Sequence, residues 1–383
     1  MFLLCGLALI PIAILSIRPF AERRRDLAIP AGFLDLTPLL FGPVIVARFD
    51  LWPALLTTAA IAAVLGNRPR IGAGLLALAI LAKVYPIVLA PLLVAFVWRR
   101  SGRSEALISS LVAIGLVAIV LGPFVLVARA GIVDALRGAI VRPLQVEALG
   151  ASMLLVLHGV AGTSVDLVRS FGSENLGGSV PRLLVAAQSA ALLLGVGFVW
   201  VRFVRGPATP RRLLVSMAAA LCLHVVFGKV FSPQYLIWLL PVVAVVPRRA
   251  APLAIIWLAA VLLLTNAYVP IRYFDLVDRL DTGVAGIVLL RNVVLLGLAL
   301  YLVRAAGIDA EPEDRPPECA GLVTQVLAEG AEPRSMWCSG TLLTNESPAT
   351  RCEVLSTHSG RRLSWHILGL VSTSGSAARV LPT

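Results

Sequence analysis

Charge is scarce in this sequence. Only 14% of its 383 residues are charged, against 58% hydrophobic, and the mean hydropathy is +0.91. So few charges cannot clothe a water-soluble globule, which leaves an all-α, polytopic helical membrane protein. Acidic residues are scarcer still, 21 against 33 Lys and Arg, giving a net charge of +12. That excess is not the footprint of a nucleic-acid partner. It sits largely in short Arg-rich loops between apolar runs, where it orients the chain and meets anionic membrane lipid. The five cysteines form no CxxC pair: Cys5 and Cys222 lie in apolar runs, and Cys319, Cys338 and Cys352 lie near the end with His358 and His366. This is a weak zinc pattern, and no metal or cofactor is expected. Internal repeats, the usual mark of a transporter, are also lacking. So is an A-x-A cleavage site, and Arg18 and Arg23–Arg25 follow the first apolar run instead of preceding it, which argues against a signal peptide.

What the chain does have is apolar runs separated by arginines. A span needs about 20 apolar residues, or fewer with snorkelling ends. Runs fall at about 2–17, 27–47 (broken by Pro30, Asp35, Pro38 and Pro43), 51–65, 71–98, 106–128, 183–201, 213–227, 236–246, 251–269 and 284–303. That is about nine or ten hydrophobic segments, not all of them full crossings. Between 129 and 180 there is no full-length run; apolar spacing over 131–161 suits a helix lying at the interface, and Gly172–Ser179 reads as a loop. Arg68/Arg70, Arg99/Arg100/Arg103, Arg211/Arg212, Arg248/Arg249 and Arg304 mark the cytoplasmic side. By parity Asp50, Glu147 and Gln234, and the acidic 271–281 loop, share the outer face of a multi-pass protein of the cell membrane.

Two stretches carry polar chemistry inside apolar surroundings. The run 71–98 is interrupted at Lys83-Val-Tyr-Pro86 and has basic residues at both ends. Two half-helices folded back at Lys83 keep both basic ends on one side, and a lysine at that depth needs a wet cavity or an anion. Snorkelling between helices is its bland alternative, and a site role places Lys83 inside the bundle with Tyr85 nearby. Gly228-Lys-Val-Phe-Ser-Pro-Gln-Tyr235 joins two apolar runs at the outer face. Lys229, Ser232, Gln234 and Tyr235 suit a polar ligand at the lipid boundary. Alternatively, Lys229 snorkels and Tyr235 and Trp238 belong to an aromatic belt.

Composition shifts after Ala306. Residues 306–383 are rich in Pro, Glu, Ser, Thr and Gly without helical or strand period, and read as a disordered cytoplasmic tail apart from the membrane domain 1–305. Asn345-Glu-Ser347 is then a chance glycosylation match, and a frame error in the gene is an open alternative for the tail. At the other end, parity puts Met1 outside with nothing ahead of it, the pattern of a chain lacking a first helix and its outer loop.

Four segments share order and spacing with one family: Arg48-Phe-Asp-Leu-Trp-Pro-Ala54, Leu81-Ala-Lys-Val-Tyr-Pro86, Arg142-Pro-Leu-Gln-Val-Glu147 and Phe231-Ser-Pro-Gln-Tyr-Leu236. Over about 1–305 the chain resembles the glycosyltransferase 87 family, polyprenyl-phosphate-mannose-dependent mannosyltransferases of the GT-C superfamily. Each motif alone is weak; four in order are more specific.

The resemblance implies sugar transfer, with inversion and without a nucleotide sugar, from a polyprenyl-phosphate donor to a glycolipid or glycan acceptor on the outer face. An acid residue would deprotonate the acceptor, and cations would stabilise the departing phosphate. Lys83, Tyr85, Arg142, Gln145, Lys229, Ser232, Gln234 and Tyr235 are the expected substrate-binding residues. In the superfamily the usual acid sits in the first outer loop, the part this chain is expected to lack, so an inactive chain stays open. Asp50 and Glu147 are the remaining outer carboxylates, for sugar hydroxyls or as base. Asp50 could instead be a helix N-terminal acid, and Glu147 could pair with Arg142 on a solvated face. The rival class is a transporter or lipid-binding protein without catalysis.

Overall fold

The computed structural model describes residues 2–21, 23–42, 44–247 and 249–308, and the backbone of 333–344, 347–358, 361–370 and 381–382. The chain divides into two units, Met1–Ala310 and Glu311–Thr383. The first is a helical bundle. It opens with α1 (Phe2–Ile17), α2 (Arg24–Phe41), the single turn α3 (Val44–Ala47), α4 (Leu51–Leu65) and α5 (Pro69–Ala82). After a 3₁₀ turn at Tyr85–Leu89 come α6 (Ala90–Ser101), α7 (Arg103–Val127), α8 (Arg129–Val141) and, beyond a short strand, α9 (Leu149–Ala161). The bundle closes with α10 (Ser179–Arg205), α11 (Pro210–Val226), α12 (Leu236–Ala244), α13 (Ala251–Asn266), the short α14 (Tyr273–Asp278) and α15 (Thr282–Ile308).

Local chemistry sets several of these boundaries. Asp26 accepts the Arg23 backbone N–H at 2.9 Å and starts α2. Thr209 accepts the Arg212 N–H at 3.2 Å ahead of Pro210, which opens α11. Although Pro30 and Pro38 were expected to break the second run, α2 continues through both. Each proline removes one ladder hydrogen bond, and neighbouring helices hold the segment together.

Among the described residues three helices are long and apolar enough to cross a membrane: Arg103–Val127, Ser179–Arg205 and Thr282–Gly307. Shorter apolar helices of 10–17 residues, such as Pro69–Ala82 and Ala251–Asn266, pack beside them. The outward side chains are apolar as well, Leu111, Ile119, Leu126, Leu193 and Leu194 among them, which suits a lipid solvent and not water. At the centre, α11 and α12 are buried along nearly their whole length.

The long run around Lys83 is folded back. The α5 helix ends at Lys83 in extended conformation (φ −162°, ψ 134°), and Pro86 sits in the first turn of the following 3₁₀ segment, where its missing N–H leaves no bond unmade. Arg70, at the start of α5, reaches Glu105, at the start of α7, with hydrogen bonds of 2.9 and 2.8 Å. The end of α6 immediately precedes α7, so both ends of the run lie together. Against α4 the packing is tight: a Cβ added at Gly72 would stand 2.5 Å from Val64 Cγ2 and 2.8 Å from the Ala60 carbonyl. Between α5, α6 and α7 lies an apolar groove of about 820 Å³ whose lining includes Ile80 and Ile87, on either side of Lys83 in sequence.

The fold is helical as expected, with one small sheet added to the bundle. Strands β1 (Leu144–Gln145), β2 (Asp166–Ser170) and β3 (Ser173–Gly177) form an antiparallel sheet in the order β1-β3-β2. It interrupts the expected interface helix over 131–161, which becomes α8 and α9, and it takes up most of the expected loop at Gly172–Ser179. The cause is the two-residue turn Phe171–Gly172, with φ of 53° and 68°, which matches the twist of a tight hairpin.

In the second unit the backbone pairs antiparallel through β4 (Pro333–Thr344), β5 (Ser347–His358), β6 (Arg361–Leu370) and β7 (Leu381–Pro382), in that order. The sequence shows no strand period there; backbone N–H and C=O groups can pair whatever the side chains. The tail cysteine and histidine side chains and the Asn345 sequon lie outside the described residues.

Candidate functional site

Two buried polar clusters of the bundle are joined by the 228–235 segment. The first is built on Asp50, fully buried at the start of α4. It stands at the N-cap of α4, where the helix-terminal reading puts it, but makes no side-chain capping bond. Asp50 Oδ1 instead accepts hydrogen bonds from Lys83 Nζ at 2.5 Å and Trp238 Nε1 at 2.7 Å. Asp50 Oδ2 is buried and has no hydrogen-bond partner among the described residues.

Lys83 points inward, as a lysine between half-helices must if it is to keep its charge. Its ammonium lies 4.8, 5.1 and 4.9 Å from the ring centroids of Phe49, Tyr235 and Trp238, a cage that favours a cation. Trp238 is itself sandwiched, its ring 4.1 Å from Tyr85 and 4.2 Å from Tyr235. The Tyr85 hydroxyl lies 3.2 Å from Thr57 Oγ1; the threonine hydroxyl already donates to the Pro53 carbonyl, so the tyrosine is the donor. Trp238 is thus no member of an exposed aromatic belt. It is buried because its N–H has a carboxylate to meet.

The second cluster surrounds Glu147, buried and not on a solvated face. Arg142, its expected partner, donates instead to Ser173 at 2.9 Å. Glu147 Oε1 accepts from Tyr268 at 2.5 Å and faces Arg291 at 3.7 Å, while Oε2 accepts from Gln145 at 3.1 Å. Burial pushes the Glu147 carboxyl up, with Arg291, Tyr268 and Gln145 pulling the other way. Gln145 also locks the joining segment: its backbone N–H donates to the Lys229 carbonyl at 3.0 Å, and its Oε1 accepts the Phe231 N–H at 2.7 Å. Gln188 fixes the other end of that segment through the Gly228 carbonyl at 3.2 Å and holds α9 by accepting the Gly150 N–H at 2.7 Å.

Lys229 donates to the Ile140 carbonyl at the end of α8 at 2.5 Å, and desolvation followed by Arg142 nearby lowers its pKa. Arg142 Nε is buried without a partner among the described residues. Tyr235 lies between the clusters. Burial raises its pKa most, Arg142 pulls it down, and Asp50 and Glu147 push it up, so one phenol feels all three charges. Ser232, Gln234 and the Tyr235 hydroxyl are half-buried and make no side-chain hydrogen bond among the described residues.

The sequence reading did not single out Tyr268, Arg291 or Asn292. Arg291 and Asn292 interrupt an apolar run, the same signal that drew attention to Lys83. Tyr268 gave no such signal. Among the described residues no group of three or more His, Cys, Asp or Glu side chains could hold a metal.

The model of glycosyltransferase family 87 matches residues 1–233. That stretch includes Asp50, Lys83, Gln145, Glu147 and Lys229 and stops short of Tyr235, Trp238, Tyr268 and Arg291. No curated protein matches the chain.

Proposed function

The chain belongs to glycosyltransferase family 87, and from that premise we propose that it transfers a hexose, in the first instance mannose, from a polyprenyl-phosphate donor to a hydroxyl of a glycolipid or glycan acceptor. On this reading it crosses the cell membrane several times, with the site at the outer face. The observation that carries the reading is Asp50: one carboxylate oxygen is fixed by Lys83 and Trp238, and the other has no partner among the described residues.

The chemistry follows from that arrangement. Asp50 Oδ2 takes the proton of the acceptor hydroxyl as its oxygen attacks the anomeric carbon. The bond from that carbon to the phosphate oxygen breaks, its electron pair leaves with the polyprenyl phosphate, and attack from the opposite side inverts the centre. Arg142 and Lys229 stabilise the charge that develops on the phosphate. Lys83, caged and paired with Asp50, orients that carboxyl group in place of binding phosphate directly. Ser232, Gln234 and the Tyr235 hydroxyl supply free groups for sugar hydroxyls. Glu147, with both oxygens engaged, holds Gln145 and the 229–231 backbone. The apolar groove beside Lys83 takes the hydrocarbon chain of the donor.

The test uses membranes carrying the chain, supplied with labelled polyprenyl-phosphate mannose. A general base contributes about 10²–10⁴-fold, so Asp50→Asn should lose transfer by that factor at equal protein level. Transfer at the parental rate would remove Asp50 as the base.

A further inference from the structure

We infer that Arg291, in the second half of the chain, is a positioning residue that sets the substrate segment 228–235; the inference rests on the transferase reading above. Arg291 lies within α15 and is completely buried. Each part of its guanidinium meets a different segment. Nη2 donates to the Glu147 backbone carbonyl at 2.7 Å, and Nη1 donates to the Tyr268 hydroxyl at 2.5 Å, which in turn donates a hydrogen bond to Glu147 Oε1. The guanidinium also lies 3.9 Å from the ring centroid of Phe231. Asn292 repeats the grip, donating to the same Glu147 carbonyl at 3.1 Å and to Ser152 at 3.0 Å, and its Oδ1 accepts from Arg291 at 2.9 Å.

One planar cation therefore fixes Glu147, whose Oε2 accepts from the Gln145 side chain that holds the substrate segment, and an aromatic ring within that segment. Phe231 stands two residues after Lys229 and one before Ser232, so movement of its ring displaces the groups proposed to meet the sugar phosphate. Lysine cannot take this role, because a single ammonium has no planar fork to meet a carbonyl, a phenol and a ring face together. A plain core ion pair would need only Glu147 Oε1, which at 3.7 Å is farther than every hydrogen bond the guanidinium makes. The backbone bond and the ring contact are what make Arg291 a positioning residue.

Two readouts test this. The first is independent of any substrate: with Cys319, Cys338 and Cys352 replaced and Cys5 and Cys222 buried, Ser232→Cys reports access to the segment through its rate of labelling by a small maleimide. Adding Arg291→Lys should raise that rate several-fold, and an unchanged rate overturns the inference. The second is the kinetic split: Arg291→Lys should lower kcat by about 10- to 100-fold with donor KM within a few-fold, since Arg142 and Lys229 remain. Leu258→Ala, buried in α13 away from this network, should lower the melting temperature yet keep kcat per folded molecule. If Arg291→Lys does not fold, Asn292→Ala and Phe231→Leu are read in its place and should show the same split and faster labelling. Parental kcat in those variants, with transfer still abolished by Asp50→Asn, removes the role of Arg291 and leaves the transferase reading standing. Retained transfer in Asp50→Asn strikes that reading instead.

Discussion

Lys83 Nζ lies 2.5 Å from Asp50 Oδ1, across 33 residues of sequence, and joins the break after α5 to the first turn of α4. Neither charge is tolerable alone in apolar surroundings. Together, inside a cage of three rings, they are neutralised, and only one carboxylate oxygen is left for other partners. The pair makes the role of Lys83 testable apart from that of Asp50.

Lys83→Met should destabilise the protein by about 2–3 kcal/mol. This is below the ~3–5 kcal/mol of a fully buried pair, because the lysine side chain keeps 20% exposure. Combined with Asp50→Asn, much of that stability should return while transfer stays lost. Melting curves in detergent beside transfer assays check both. A double variant no more stable than Lys83→Met would mean that the pair is not what stabilises this end of the bundle.

Trp238→Phe keeps a ring between Tyr85 and Tyr235 but removes the N–H that meets Asp50. A hydrogen bond to a charged group is worth roughly 1.5–3 kcal/mol, so transfer should fall about 10- to 100-fold with little loss of melting temperature. A large stability loss with normal turnover per folded molecule would assign the indole to packing alone.

Lys229→Met should weaken transfer by about one to two orders of magnitude, the equivalent of one charge-assisted bond to phosphate. Gln234→Ala and Tyr235→Phe remove neutral groups and should cost less each. Should all three variants transfer sugar at the parental rate, the 228–235 segment is no part of the substrate site.

The orientation is checked by labelling. In a background without the tail cysteines, Arg169→Cys in the β2 strand should react with a membrane-impermeant maleimide on intact cells. Gly102→Cys, between α6 and α7, should react only after permeabilisation. The reverse pattern would place the site on the cytoplasmic face.

Much of the fold was legible because apolar runs are local signals. The run 51–65 is α4 to the residue, and the break at Lys83 appears where a charge and a proline meet within an apolar stretch. The β2–β3 hairpin was hidden because its turn depends on two residues adopting positive φ, one of them a phenylalanine, which composition does not reveal. Asp50, Lys83, Gln145 and Tyr235 could be named from motifs, but not what each would touch.

By itself, the sequence determined that this chain needs a lipid solvent, since too few charges are available to cover it, and that several polar residues sit where lipid would punish them. Only the tertiary structure decided their partners. Trp238 turns from lipid boundary to Asp50, Glu147 exchanges Arg142 for Tyr268 and Arg291, and Lys83 closes on a carboxylate 33 positions away. The reason is physical: a buried charge accepts whichever counter-charge the packing of distant helices brings within about 4 Å, and sequence spacing does not encode that distance.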